Sequence, residues 1–385
     1  MIYPLIVILL FKFTRHFKRN QSNEDFLPFV SCIIAVYNEQ DVIKAKIDSI
    51  LRSEYPSDKL KIFIGSDGST DDSNLIIKDL ADKYDQVFAN CFQLRSGKTS
   101  VINKMTKWVL DQNPSSPDHI IVYTDANIIL SPDTITQLVS PFNDLGVAIV
   151  DSRIIQRAGH QYGIAKTEKL YMNIESEIKR KEGELWGLSM GAFGGCYALR
   201  SNYSCELPNG LLVDDFYISM QAMMNKGLSI TNHKAICFEN IPDSLKEEFN
   251  RKRRIAAGNF QNLQAFIPKI NLMPIKLAFV FISHKVLRWL FPFHLLLFIL
   301  FSALLGFLGK PIYSIIVMLF IGVWALLPLL DHLLDKWSIK ISWLRSWSYF
   351  VWMNIAVLFG FYRYLRGIHQ STWQPPKRTQ EDGKF

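Results

Sequence analysis

Apolar positions fall into two regimes along this chain of 385 residues. From Val30 to about Asn240 short apolar runs alternate with amphipathic stretches, and from about Leu272 they merge into long uninterrupted runs. In the first regime Val30 to Val36 (VSCIIAV) is almost continuously apolar, the pattern of a strand covered on both faces. Val42, Ile43, Ile47, Ile50 and Leu51 then recur at spacings of three and four and predict a helix. Lys61 to Gly65 (KIFIG) predicts a second strand, and Asp71 or Asp72 is placed to cap a helix through Ile76, Leu80 and Tyr84. A third strand over Val87 to Leu94 leads into a helix through Val101, Met105 and Val109, and His119 to Thr124 predicts the fourth strand. Such alternation predicts an α/β fold, a doubly wound and mostly parallel sheet with ligands at the carboxyl ends of its strands.

The second regime has a different solvent. Phe291 to Leu308 and Ile312 to Leu330 contain no Asp, Glu, Lys or Arg and approach the roughly 20 residues that cross a bilayer. Tyr349 to Tyr362 reaches that length if Trp347 and Tyr364 anchor at the interface. The N-terminal run MIYPLIVILLF is shorter, lacks the basic leader and cleavage site of a signal peptide, and reads as a tilted anchor. Lys12, Arg15, Lys18 and Arg19 after it place the next domain on the cytoplasmic side. Three C-terminal spans would leave Arg363 to Lys384 outside, against the same rule, so one run is expected to be re-entrant or not a span. The expected organisation is therefore an anchor over 1–20, a cytoplasmic domain over 28–245 and a basic, amphipathic interface segment over 246–290. About three transmembrane helices over 291–366 and a polar tail over 367–385 complete it. The formal charge of +8 gathers beside the membrane segments, which favours lipid headgroups and phosphates as partners and argues against nucleic acid. Five cysteines without paired spacing suit a reducing compartment and argue against a zinc site.

Strand ends are where a sheet of this kind carries its chemistry. The first ends in Tyr37-Asn38-Glu39, the second in Ser66-Asp67-Gly68-Ser69-Thr70-Asp71, the third in Arg95-Ser96-Gly97-Lys98 and the fourth in Asp125-Ala126-Asn127. No glycine fingerprint follows the first strand, which argues against a nicotinamide or flavin enzyme. Ser96-Gly97-Lys98-Thr99 resembles a Walker loop, but Phe92 stands where that loop needs glycine. Lys98 is then either a solvated lysine or a point charge for a diphosphate. Asp125 and Asn127 can aim oxygens at one Mg2+ or Mn2+ bridging two phosphates. Asp214-Asp215 closes the apolar run Leu211 to Val213 and is either a solvated acidic turn or the seat of a general base. Arg251 to Arg254 suits lipid headgroups and a departing diphosphate equally.

Taken in order, these motifs resemble the membrane-integrated family 2 glycosyltransferases, the branch that includes cellulose, hyaluronan and poly-N-acetylglucosamine synthases, over nearly the whole chain. The resemblance implies a GT-A-like, Rossmann-related catalytic fold followed by transmembrane helices. It implies that Tyr37 and Glu39 belong to the nucleobase pocket, that Asp67 holds the uridine, and that Lys98, in a segment with Asn103, contacts the donor. Asp125-Ala126-Asn127 stands in the place of the metal-binding Asp-x-Asp, with Asn127 as the second oxygen ligand. Phe193 to Arg200, with Gly194 and Gly195, resembles the floor of the acceptor pocket. Val213-Asp214-Asp215 stands where the family has Thr-Glu-Asp, which makes Asp215 the candidate base and Asp214 its neighbour at the acceptor. Arg251 to Ile255 lies where processive members carry Gln-x-x-Arg-Trp; Arg254 is retained, Arg251 is left as an acceptor or diphosphate contact, and loss of the Gln and Trp implies short additions. Ser283 to Trp289 resembles the amphipathic interface helix. The implied activity is inverting transfer of a hexose or N-acetylhexosamine from a nucleoside diphosphate sugar, UDP-linked, to a glycan or lipid-linked acceptor in exopolysaccharide or cell-envelope synthesis. Mg2+ or Mn2+ is the implied cofactor, and membrane lipid and a partner subunit are further partners. Two alternatives stand beside it: single-sugar transfer to a polyprenyl or glycerolipid, and a catalytically silent membrane scaffold.

Overall fold

A computed structural model describes residues 2–14, 23–112, 118–157, 164–240, 245–337, 339 and 341–367. Arg15, Lys18, Arg19, Trp373 and the tail beyond Gly367 lie outside the described residues. A short helix α1 (Ile2–Phe13) precedes β1 (Val30–Val36), α2 (Ile43–Leu51), β2 (Leu60–Asp67), α3 (Ser73–Lys83), β3 (Val87–Phe92), α4 (Lys98–Gln112) and β4 (Ile120–Thr124). These agree with the alternation read from the apolar pattern, to within a few residues at each end.

The second half of the domain comprises β5 (Ile129–Leu130), α5 (Thr134–Val139), β6 (Val147–Arg157), α6 (Ile164–Trp186), β7 (Cys196–Arg200), α7 (Asp214–Met224) and β8 (Leu228–Asn240). Among the described residues the strands form one sheet in the order β3-β2-β1-β4-β7-β6-β8-β5. The first four are parallel neighbours, with Val30 opposite both Leu60 and Ile120. Every residue of β1 is buried, as its uninterrupted apolar run requires of a strand with helices on both faces. β7 enters antiparallel between β4 and β6, while β6 and β8 run parallel to each other. That reversal has a consequence for chemistry. Thr124 at the end of β4 lies opposite Cys196 at the start of β7, so the loops 125–127 and 193–195 meet.

Helix α6 joins the sheet to the rest of the chain. Glu168, Glu175 and Glu182 recur every seven residues along it and are all buried, a spacing that keeps them on one side of the helix. Each receives a different element. Glu182 accepts a hydrogen bond from Tyr3 of α1 at 2.5 Å. Glu175 is held by Lys285 at 2.6 Å and Arg288 at 2.5 Å, with His284 between it and Glu182. Glu168 pairs with Arg251 at 2.7 Å and Lys252 at 2.9 Å, both from α8 (Leu245–Phe266), and accepts from Tyr349 of the last helix. Burial alone would raise the Glu168 carboxyl, yet the Lys252 and Arg251 charges hold it at about 2.

Beyond α8 come α9 (Ile275–Val280), a π-turn over Phe281–Val286, α10 (Leu287–Trp289), α11 (Phe291–Phe307), α12 (Pro311–Lys336) and α13 (Ser342–Leu365). The segment around Ser283 to Trp289 is amphipathic as expected, but inverted: Lys285 and Arg288 turn inward onto Glu175, while Ile275, Phe279, Ile282 and Leu287 are exposed. Three buried glutamates without partners would be far costlier than this arrangement, because an unpaired buried carboxylate loses its hydration for nothing. By length and composition α12 is the one helix among the described residues able to cross a membrane alone. Ile275–Trp289 and Phe291–Phe307 reach that measure together, bent by 61°, as a broken span or re-entrant loop would be. Helix α13 packs against α8, where a Cβ on Gly360 would come within 2.4 Å of the Ala256 Cβ.

Candidate active site

At the carboxyl edge of the sheet the loops after β1 and β2 are zipped together. Asn38 takes a left-handed φ of 50° and accepts from the Thr70 N–H at 2.8 Å, while its own N–H donates to Ser69 at 3.1 Å. Asp71 accepts from Gln40 N–H at 3.2 Å and Ser73 N–H at 3.0 Å, so of the two candidate caps it is Asp71 that serves the start of α3. Glu39 is buried beneath this zipper, its N–H donating to Ser73 Oγ at 2.9 Å. Tyr37 carries the Arg95 guanidinium stacked on its ring at 3.5 Å from the centroid, an arrangement worth most where water is excluded.

Asp67 ties this end to the lysine segment. Its two oxygens accept from Ser96 N–H at 2.6 Å and Gly97 N–H at 2.9 Å, which satisfies donors at the start of α4 and fixes Lys98 as the first residue of that helix. A carboxylate has further lone pairs, but the bonds seen here are those of a cap. Gly68 makes the turn possible: its φ is +67°, and a Cβ would stand 3.1 Å from the Arg95 nitrogen.

Lys98 is the centre of the charged group. Its ammonium lies 2.9 Å from Asp125 Oδ1 and 3.5 Å from Asp214 Oδ1. Burial would lower its pKa, and the charges of Asp125 and Asp214 outweigh burial and raise it. Asp214 and Asp215 open α7, and the Phe216 N–H donates to Asp215 Oδ1 at 2.7 Å. Even so the Asp215 carboxyl is pushed up to about 6, by burial first and by Asp214 second. A residue poised there titrates where a general base is useful. Gly194 forms its wall: a Cβ at that position would sit 2.5 Å from Asp215 Oδ2. Gly195 faces the other way, toward Ile154 and Ile128, and its carbonyl accepts from Asp125 N–H at 3.0 Å and Thr124 Oγ1 at 2.9 Å.

Helix α8 clamps the segment that presents the two aspartates. Leu212 N–H donates to Gln261 Oε1 at 3.0 Å, Asn262 donates to the Val213 carbonyl at 3.0 Å, and a Cβ on Gly258 would meet Val213 at 2.5 Å. Arg254 donates to the Leu212 carbonyl at 3.3 Å and lies within the field of Asp125, Asp214 and Asp215, although burial outweighs their charges and lowers its pKa. Arg251, one helical turn away, belongs instead to the Glu168 and Glu248 network.

Strand-end carboxylates around a lysine, a left-handed asparagine in the loop after β1 and a half-buried aspartate walled by glycine thus lie along the carboxyl edge of the sheet. Residues 31–205 match the family model described as glycosyl transferase family 2. The chain carries a family 2 glycosyltransferase domain. A β-monoglucosyldiacylglycerol synthase from Nostoc sp. is 29% identical over 258 residues, which is 66% of this chain and 53% of that protein. A poly-β-1,6-N-acetyl-D-glucosamine synthase from Staphylococcus aureus is 25% identical over 276 residues, 68% of this chain and 63% of that one. The chain therefore spans between about half and two thirds of the length of these relatives. Among solved structures a mannosyltransferase from Pyrobaculum calidifontis, in complex with GDP-Man and Mn2+, superposes with a TM-score of 0.66 at 17% identity over 94% of both chains. The fold is GT-A-like, and the likeness extends past the glycosyltransferase domain into the C-terminal helices.

The site residues expected from the sequence separate into groups. Lys98, Asp125, Asp214, Asp215, Gly194 and Arg254 converge; Tyr37, Glu39 and Asp67 lie toward the loops after β1 and β2; Arg251 stands apart. For a divalent cation the residues fit. Among the described residues no three carboxylate, imidazole or thiol groups gather as a cage, so any cation here would draw its remaining ligands from phosphate oxygens and water. Asp125 is partly exposed, and Asn127 has its amide nitrogen buried without a partner, a position that the amide oxygen would occupy if the group were turned over. Two residues in the site carried no specific role in the sequence reading. Arg95 stands within the strand-end run Arg95-Ser96-Gly97-Lys98 without a role of its own, and Lys46 belongs to no motif.

Proposed function

We propose that this protein is an inverting glycosyltransferase that moves a sugar from a nucleoside diphosphate sugar to a hydroxyl of a glycan or lipid-linked acceptor at the cytoplasmic face of a membrane. The observation that carries the reading is Asp215, pushed up to about 6 by burial and Asp214 and set against Gly194 across from Lys98 and Asp125. In a single displacement the acceptor oxygen attacks the anomeric carbon, the bond from that carbon to the diphosphate oxygen breaks, and the acceptor proton passes to Asp215. Lys98 and Arg254 stabilise the charge that develops on the departing diphosphate. Asp125 and Asn127 would hold Mg2+ or Mn2+, whose chemistry is neutralisation of that same charge; the Mn2+ bound to the Pyrobaculum mannosyltransferase supports a cation of this kind. Tyr37, Glu39 and Asp67 orient the nucleotide.

A membrane acceptor is supported by the exposed apolar faces of α11 and α12 and by α12 being long and apolar enough to span. Such faces on a soluble protein would be an aggregation hazard. The name of the Nostoc relative, a glucosyldiacylglycerol synthase, adds weight to a second reading, single-sugar transfer to a glycerolipid. It gains further from Arg251 being engaged by Glu168 and Glu248 and not by the aspartates around Lys98. The test is product analysis by mass spectrometry, with the protein in membranes, a panel of nucleotide sugars, and Asp215→Asn in parallel. Transfer that disappears in the variant, with nucleotide-sugar binding kept within a few-fold, supports the base assignment, and wild-type turnover in the variant overturns it.

A further inference from the structure

Lys46 stands on the buried face of α2, between Ile43, Ile47 and Ile50, and is itself 0% exposed. A polar group in that position is costly unless it finds hydrogen-bond partners, and burial pushes the Lys46 pKa down. Its Nζ donates to Thr124 Oγ1 at 2.7 Å and to the carbonyl of Ile128 at 2.6 Å. These two acceptors bracket Asp125-Ala126-Asn127, one residue before it and one after. Thr124 Oγ1 in turn donates to the Gly195 carbonyl at 2.9 Å, which also accepts from Asp125 N–H at 3.0 Å. The residue before Gly195 is Gly194, the wall of Asp215. One buried amine thus ties together, from behind, the loop bearing Asp125 and the loop that abuts Asp215.

We propose that Lys46 is a positioning residue that fixes the Asp125–Asn127 loop, and through Thr124 the Gly194–Gly195 loop, so that the cation and diphosphate end of the site is held in register with Asp215. This rests on reading Asp125 and Asn127 as the cation site. It touches neither substrate nor cation. Its effect is that of an outer-shell group on a metal site, where removing the supporting hydrogen bonds typically costs 10- to 100-fold in metal affinity.

The experiment uses the full chain in lipid nanodiscs and measures Mn2+ affinity by the electron paramagnetic resonance signal of free Mn2+, in saturating UDP or GDP, whichever the wild type binds. Lys46→Met keeps the length and removes the two hydrogen bonds; Thr124→Val keeps the shape and removes the relay. Both are expected to raise the Mn2+ Kd by about tenfold or more and to lower kcat, while the Kd for the matching nucleoside monophosphate, which reports the base end, changes less than twofold. The two effects are expected to be non-additive in the double variant, since one chain of bonds is cut twice. Asp125→Ala separates the two ideas. If it leaves the Mn2+ Kd unchanged, the loop is not the cation site and the underlying reading fails. If it abolishes Mn2+ binding while a folded Lys46→Met or Thr124→Val leaves the Kd at the wild-type value, the positioning role is wrong. Equal loss of Mn2+ and monophosphate binding would also overturn it, because that is what a general structural defect does.

Discussion

Replacing Asp215 by asparagine should stabilise the folded protein at neutral pH while abolishing transfer. The reason is the carboxyl's raised pKa, from 3.8 to about 6, caused by burial and then by Asp214. For an acid raised in this way the folded state holds its proton more tightly than the unfolded chain. Below about pH 4 the group is protonated in both states and contributes no penalty; the penalty grows as pH rises and is complete above about 6. At 1.36 kcal/mol per unit the shift corresponds to at most about 3 kcal/mol, an upper figure because Asp215 is only partly buried. Asparagine carries no charge to desolvate, so the variant gains that amount at pH 7.5 and nothing at pH 4. For a domain of this size about 3 kcal/mol is a rise of roughly 6–12 °C in midpoint. The assay is thermal unfolding of wild type and Asp215→Asn in nanodiscs at both pH values, and the difference between the two pH values cancels any change in packing. The same titration should appear in the wild-type rate, with kcat/KM falling about tenfold from pH 7 to pH 5. A variant no more stable at pH 7.5 than at pH 4, or a wild-type rate flat across pH 5 to 7, would refute the account of Asp215 as a strained, charged base.

Chelation should remove activity, and Asp125→Ala should remove both most activity and the response to added Mg2+ or Mn2+; full turnover in excess chelator would be the contrary result. Arg251→Ala and Arg254→Ala should part company. The first weakens the buried network with Glu168 and Glu248 and lowers the unfolding midpoint by several degrees, with the donor KM unchanged within about twofold. The second lowers kcat/KM at least about tenfold with little effect on the midpoint, and steady-state kinetics beside thermal unfolding distinguishes them. Products are expected to be short additions, since Arg251 and Ile255 stand in place of the Gln and Trp of processive relatives; the size distribution of labelled product from the purified protein in nanodiscs decides it, and a high-molecular-weight ladder without a partner would contradict it.

Much of this protein follows from its sequence alone. Period-two and continuous apolar runs over Val30–Val36, Leu60–Asp67 and Ile120–Thr124 can bury themselves only as parallel strands under helices, so the order of the first half and its strand-end motifs was legible. The exclusion of charge from Pro311 to Leu330 likewise marks that helix as long and apolar enough to cross a membrane. The tertiary structure decided what no local pattern holds. Insertion of β7 antiparallel beside β4 is a long-range pairing, and it alone brings Gly194 against Asp215 and Gly195 behind Asp125. Arg251 and Arg254 are three residues apart in one basic run, yet one helical turn sends the first to the glutamates of α6 and the second toward the aspartates. Nothing in the local pattern marks Lys46 or the Glu168, Glu175 and Glu182 series as buried, because the cost of burying a charge is visible in sequence and the partner that offsets it is not. Pattern is local and sets which face of an element is apolar; the pairing of buried charges depends on which elements meet, and that is fixed only when the whole chain has packed.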